Sequence, residues 1–151
     1  VNKTMSKRED IAGDIITKLD AVSSPIEFKL IKREPFQPEE LSQAQFPAAY
    51  IQTGDETRDF FSIGDVGSGK RQGTIDFLVV GFVKGTDSNI DTLRNQLIEV
   101  VEETLDNDIT RNGNALSTQV VEASSDEGIL FPYGGVRIVV RVLYEFVRGT
   151  S

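Results

Sequence analysis

The stretch Val136-Arg137-Ile138-Val139-Val140-Arg141-Val142-Leu143-Tyr144-Glu145-Phe146-Val147 decides the fold. It is rich in β-branched and aromatic residues, holds no glycine or proline, and reads as one long strand. A period of two puts Val136, Ile138, Val140, Val142, Tyr144 and Phe146 on one face. The opposite face carries Arg137, Val139, Arg141, Leu143, Glu145 and Val147. The segment 74–84 (TIDFLVVGFVK) behaves in the same way: Ile75, Phe77, Val79 and Val83 oppose Leu78, Val80 and Phe82. An antiparallel sheet with one wet face alternates cleanly between apolar and polar. These two strands do not, so a sheet built on them needs cover on both sides. The second cover is either a long loop of the same chain or a neighbouring subunit.

Working outward, residues 5–22 read as an amphipathic helix with Ile11, Ile15, Leu19 and Val22 on one face. Ser6 suits its N-cap, and Glu9 three residues on completes a capping box. Pro25 ends the helix. Ile26, Phe28 and Leu30 then alternate with Glu27, Lys29 and Ile31, which predicts a half-buried strand. Segment 34–47 (EPFQPEELSQAQFP) carries three prolines and reads as a loop. Residues 48–52 around Tyr50 form a short strand candidate. Residues 53–73 are polar and glycine-rich, a long loop or the tip of an extended hairpin. After the 74–84 strand, Asp87, Ser88 or Asn89 caps a second helix, in which Ile90, Leu93, Leu97, Val100 or Val101, and Leu105 keep the helical period. Residues 106–115 form a polar turn, 116–123 a further strand, and 124–135 (SSDEGILFPYGG) a second exposed loop. The order is α-β-β-β-α-β-β. It predicts an α+β fold: a single two-layer domain spanning 1–151, with a mostly antiparallel sheet of about five strands and two helices packed on one face.

Composition narrows the function. The chain has 151 residues, 24 acidic and 16 basic side chains, a net charge of −8, and no cysteine, histidine or tryptophan. A domain of this length buries about 70 % of its unfolded surface, so a packed core is available. Without cysteine there are no disulfides, thiolate catalysis or Cys-type zinc sites. Lack of histidine removes the commonest general base and transition-metal ligand. The acidic balance disfavours non-specific attraction to nucleic acid or anionic lipid. The longest apolar run, 77–83, is far short of the roughly 20 residues of a membrane helix. The opening VNKTMSKRED has no apolar core of a secretory signal and points to a cytoplasmic origin. These counts predict a protein that is not an enzyme and carries no cofactor or metal.

Three motifs bear on that expectation. Gly64-Asp65-Val66-Gly67-Ser68-Gly69-Lys70 matches the G-x-x-x-x-G-K core of a phosphate-binding loop. That loop needs Ser or Thr after the lysine and a helix beyond it, whereas Arg71 and a strand follow here. A glycine-rich hairpin tip explains the segment better, and a nucleotide-binding enzyme is the remote alternative. Asp106, Asp108 and Thr110 resemble the start of a calcium loop, but Arg111 and Ser117 stand where Gly and Glu are required. The paired carboxylates Glu39-Glu40, Glu102-Glu103 and Asp126-Glu127 have no aromatic platform that selects one pair for glycosidase chemistry.

Interaction surfaces remain. The 53–73 segment mixes Arg58, Lys70 and Arg71 with Phe60 and Phe61, and 124–135 carries Ile129, Leu130, Phe131 and Tyr133. Apolar side chains on otherwise polar loops either contact partners or tuck onto the uncovered sheet face. Arg137 and Arg141 share a partly apolar face with Val139 and Leu143, where interface salt bridges and simple solvation are both open.

The whole-chain pattern resembles the tail terminator (tail completion) proteins of tailed bacteriophages. The likeness runs from the N-terminal helix through Pro47-Ala48-Ala49-Tyr50-Ile51, the glycine-rich hairpin and Gly81-Phe82-Val83-Lys84. It continues through Leu105-Asp106-Asn107-Asp108, Asp126-Glu127-Gly128 and Pro132, and closes with the last strand and Tyr144. The resemblance implies a structural virion protein, assembled in the host cytoplasm. It implies a homo-oligomeric ring, usually a hexamer, that caps the tail tube protein and joins it to a neck, stopper or connector protein, with sheath protein as a further partner. Six copies would carry about −48 charges, a lumen through which genomic DNA passes without sequence-specific binding. The resemblance implies no membrane contact. Arg58, Phe60, Phe61, Lys70 and Arg71 are then candidates for the tube or a ring neighbour. Ile129, Leu130, Phe131 and Tyr133 are candidates for the neck or sheath, and Arg137 and Arg141 for a subunit interface. Another small neck or baseplate ring protein is the alternative within the same class.

Overall fold

A computed structural model describes residues 6–58 and 70–147. Five strands form one sheet in the order β1-β2-β3-β5-β4, with β1 at Leu30–Lys32, β2 at Ala48–Arg58, β3 at Lys70–Lys84, β4 at Ser117–Ser125 and β5 at Tyr133–Val147. β1 runs parallel to β2, and all other pairs are antiparallel. Helices α1 (Lys7–Asp20) and α2 (Ile90–Asp106) lie on one face, as the sequence pattern predicts. The axis of the sheet is the β3–β5 pair, in register from Lys70 opposite Val147 to Lys84 opposite Tyr133.

The core forms where period two meets period 3.6. From the sheet, Ile75, Phe77, Ile138, Val140, Val142 and Tyr144 are wholly buried or nearly so, and from the helices so are Ile11, Ile15, Leu19, Leu97, Val101 and Leu105. α2 sits close to β3 because Gly81 has no side chain. A Cβ there would lie 2.3 Å from Leu97 Cδ2.

The elements differ from the sequence expectation at several ends. Both long loops are shorter than expected, because β2 continues to Arg58, β3 begins at Lys70, β4 continues to Ser125 and β5 begins at Tyr133. Ladder hydrogen bonds to a long central partner hold residues in a strand whatever their side chains, so polar and glycine-rich flanks are recruited. The reverse holds at 26–31. Ile26 and Phe28 are buried as expected, but only Leu30–Lys32 pairs with β2. At α1, Ser6 Oγ accepts from the Glu9 N–H at 3.3 Å. The capping box stays incomplete, since the Glu9 carboxylate takes two hydrogen bonds from Arg33 instead, both at 3.1 Å.

The 106–115 turn is organised around a fully buried arginine. Arg111, at φ 49°, donates to the Leu105 carbonyl at 2.7 Å and to the Asp108 carbonyl. It thereby satisfies orphan acceptors at the C-terminal end of α2. Its guanidinium lies 3.3 Å from the buried Asp14 carboxylate on α1, so the turn also ties the two helices together. Burial pulls the Arg111 guanidinium below its ordinary value, and Asp14, Asp108 and Asp106 oppose that pull. Asp108 is engaged by the Thr110 hydroxyl and N–H and by the Asn112 N–H. The Asp108 carboxylate is thus engaged within the turn, with the Lys18 ammonium of α1 3.6 Å away.

The cluster has measurable consequences for stability. Arg111→Ala leaves Asp14 buried with only the part-exposed Lys18 beside it, and should cost about 3 kcal/mol in a urea titration; a loss under about 1 kcal/mol would contradict the role given to this cluster. The hydrogen bonds to Asp108 hold its carboxyl well below its ordinary value of 3.8. A depressed carboxylate stabilises the fold fully above the unfolded value, and the contribution is lost as pH falls below it. Asp108→Asn should therefore flatten the acid limb of stability below about pH 4.

Candidate interaction surfaces

The second face of the sheet can be read from the strand register. Tyr50, Val80 and Arg137 form one cross-strand row, Gln52, Leu78 and Val139 the next, and Asp76 and Arg141 a third. Ala48 and Phe82 stand before the first row. Among the described residues, this face is covered at one end only. The 34–47 segment folds over it through two 3-10 turns and seats Phe36 against Ala48 and Phe82, with Leu41, Phe46 and Leu130 around them. The Phe36 ring meets Tyr50 edge-on at 5.4 Å and Phe82 at 5.7 Å. The chain itself thus supplies part of the cover that the two-faced strands demand. The source is mainly the proline-rich loop, joined from 124–135 by Leu130 and by Tyr133, which stacks on Phe46.

Beyond that lid lies an open groove of about 320 Å³. Leu78, Val121 and Val139 supply its apolar surface, and Asp55, Asp76, Glu122, Arg137 and Arg141 its charged surface. Arg141 holds Asp76 directly across the β3–β5 ladder with two hydrogen bonds, at 2.9 and 3.1 Å. The Asp76 carboxylate in turn raises the Arg141 guanidinium above its ordinary value. Arg137 pairs more loosely with Glu122 at 3.7 Å, and both side chains are more than half exposed, at 54 % and 61 %. A bulge between Val120 and Glu122 leaves Val121 without a ladder partner, at the lip of the groove.

The second surface is the turn between β4 and β5. Asp126 builds it: its carboxylate accepts from the N–H of Leu130 at 3.0 Å and of Gly128 at 3.4 Å. The same carboxylate is held at 3.1 Å by Arg94 of α2, and the two side chains are only 8 % and 9 % exposed. Arg94 reaches across because Gly134 makes room; a Cβ there would lie 2.8 Å from Arg94 Cγ. The turn presents Ile129 and Phe131 outward, 84 % and 52 % exposed. Tyr133 does not project. It stacks on Phe46 at 5.4 Å, with the Lys84 ammonium 5.7 Å over its ring.

The other residues that the sequence singles out are dispersed. Arg58 ends β2 with its guanidinium 4.5 Å over the Phe146 ring and its Nε 3.3 Å from Glu56. Lys70 and Arg71 are backbone partners of Val147 and Phe146 in β3, so a strand rather than a helix follows the G-x-x-x-x-G-K motif. Phe60 and Phe61, and residues 64–69 of that motif, lie outside the described residues. Sequence reasoning misses Arg94, which the helical period places on the buried face of α2. Its only sequence signal is a charge at an apolar position.

Among the described residues there is no group of three or more acidic side chains placed to hold a metal ion, and no helix long and apolar enough to cross a membrane. No protein-family model matches the chain, and no curated protein matches it. Among solved structures, the chain is similar to one from the virion of a native gene transfer agent particle, with a TM-score of 0.49 and 9 % identity over 95 % of this chain and 100 % of that one.

The Asp126 geometry has a direct test. Asp126→Ala removes both acceptors, and amide exchange at Leu130 should accelerate roughly fivefold to tenfold, as for a local hydrogen bond worth about 1 kcal/mol. The β3 and β5 amides should keep their protection. Unchanged exchange at Leu130 would contradict the role assigned to the carboxylate.

Proposed function

We propose that this chain is a structural virion protein of a phage-like tail, a tail terminator that forms a ring, caps the tail tube and joins it to the neck. The observation that carries the reading is the sheet of β3 and β5, apolar on both faces and, among the described residues, covered on its second face at one end only. Open apolar surface flanked by charge on an acidic protein calls for a protein partner. The sequence resemblance to tail terminators supplies the identity of that partner, a ring neighbour and the tube end. A non-enzymatic role accords with a chain that has neither histidine nor cysteine.

Tube polymerisation tests the proposal. Purified tube protein growing in the presence of this chain should give shorter tubes with one end closed to further addition. Tubes of unchanged length, with no chain bound at their ends, would overturn the terminator reading. Association with baseplate proteins in place of tube protein would favour the alternative within the same class.

A further inference from the structure

The turn that follows α2 carries Asn112 and then Gly113, the one Asn-Gly pair in the chain. Both residues are exposed, and both stand at positive φ, 58° and 85°. We propose that Asn112 is a site of spontaneous deamidation, at which the Gly113 backbone nitrogen converts the side-chain amide to aspartate or isoaspartate and so loosens the turn that ties α1 to α2. The inference is independent of the ring-forming reading, because it concerns the covalent chemistry of the chain itself.

The step needs nothing beyond the turn and water. The Gly113 nitrogen attacks Asn112 Cγ and gives up its proton. A new C–N bond closes a five-membered succinimide, and the side-chain nitrogen leaves as ammonia. Water then opens the ring at one of its two carbonyls. Opening at the side-chain carbonyl yields aspartate, and opening at the main-chain carbonyl yields isoaspartate, in which the main chain runs through the side chain.

The local geometry favours this reaction at Asn112. Gly113 has no side chain to crowd the attacking nitrogen, and a Cβ built there would meet nothing within 4 Å, so no neighbouring element shields the tip. The Gly113 N–H is held by the Thr110 hydroxyl at 3.3 Å, a long bond on an exposed turn that opens locally at low cost. Among the described residues Asn112 is engaged through its backbone N–H, which donates to Asp108 at 2.8 Å, while its side-chain amide is free. Asn114 differs on both counts. Ala115 follows it, and its amide nitrogen donates to the Arg111 carbonyl at 3.0 Å.

The products disturb what the turn holds. Either one places a new negative charge near Asp106 and Asp108, beyond the C-terminal end of α2, where the helix dipole disfavours anions. Isoaspartate also lengthens the main chain between the Asn112 N–H bond to Asp108 and the Asn114 N–H bond to the Arg111 carbonyl, at 3.2 Å. Those bonds bracket the turn that seats Arg111 against Leu105 and Asp14.

Peptide mass spectrometry of the full chain, aged for days in mildly alkaline buffer, reads the reaction directly. The folded chain should gain the amide-to-acid mass at residue 112, faster as pH rises, with Asn114 unchanged and isoaspartate detected by an isoaspartyl methyltransferase. Gly113→Ala should suppress the gain. Asn112→Gln, which keeps the backbone donor to Asp108 but would need a six-membered ring, should do the same and serves where the Gly113 variant does not fold. Conversion in urea-unfolded chain without conversion in folded chain would show that the turn protects its own Asn-Gly pair and would overturn the proposal, as would equal conversion at Asn114. Converted chain should unfold at lower urea than fresh chain. An unchanged midpoint after conversion at residue 112 would overturn the loosening of the turn.

Discussion

The in-register pairing of β3 with β5, from Lys70 opposite Val147 to Lys84 opposite Tyr133, is the constraint on which the rest of the structure depends. Both strands place apolar residues on both faces, and α1 and α2 can shelter only one of them. The core under the helices therefore forms in the ordinary way, and the other face sets the unusual requirement. The 34–47 segment meets part of it with Phe36, Leu41 and Phe46. The remainder is left as a groove between cross-strand ion pairs. Burying that groove against a partner would remove apolar surface from water at about 25 cal/mol per Å².

Two buried arginines fix how the periphery is presented. Arg111 closes the C-terminal end of α2 and joins it to Asp14 of α1, while Arg94 ties α2 to the β4–β5 turn through Asp126. In each case a charge removed from water is set against a carboxylate and is compensated only in part: Arg111 hydrogen-bonds through Nη2, while its Nε and Nη1, the Asp14 Oδ2 and the Arg94 Nε are buried without a hydrogen-bond partner among the described residues. The pairs contribute less to net stability than to geometry, since they specify where a turn leaves the helical layer. The Arg94 pair holds the turn that carries the most exposed large apolar side chains of the described structure, Ile129 and Phe131.

Much of this architecture is legible in the sequence. The two-faced strands, the helical faces of Ile11, Ile15 and Leu19 and of Leu97, Val101 and Leu105, and the element order all follow from apolar periodicity, which packing enforces. Strand ends are not legible. Residues such as Thr53, Gln72 and Gly73 lie in a polar, glycine-rich stretch and are held by backbone pairing with β-partners distant in sequence. The sequence suggests a capping box at Ser6 that does not form, because Arg33, far along the chain, competes for Glu9. At the surfaces, Arg137 and Arg141 are recognisable from their apolar neighbours, but their partners Glu122 and Asp76 depend on register. Arg94 is hidden for the same reason: its partner Asp126 lies in another element, and one charge within a helical stripe does not announce a clamp.

The open face of the sheet is what would make this chain a component of a multi-subunit assembly. Light scattering of the purified protein over a range of concentrations, with and without tube protein, tests that claim most directly. The expected result is a hexamer of about 100 kDa, six times 16.7 kDa, or a monomer that becomes a ring when tube protein is added. A stable dimer whose mass does not respond to tube protein would contradict it.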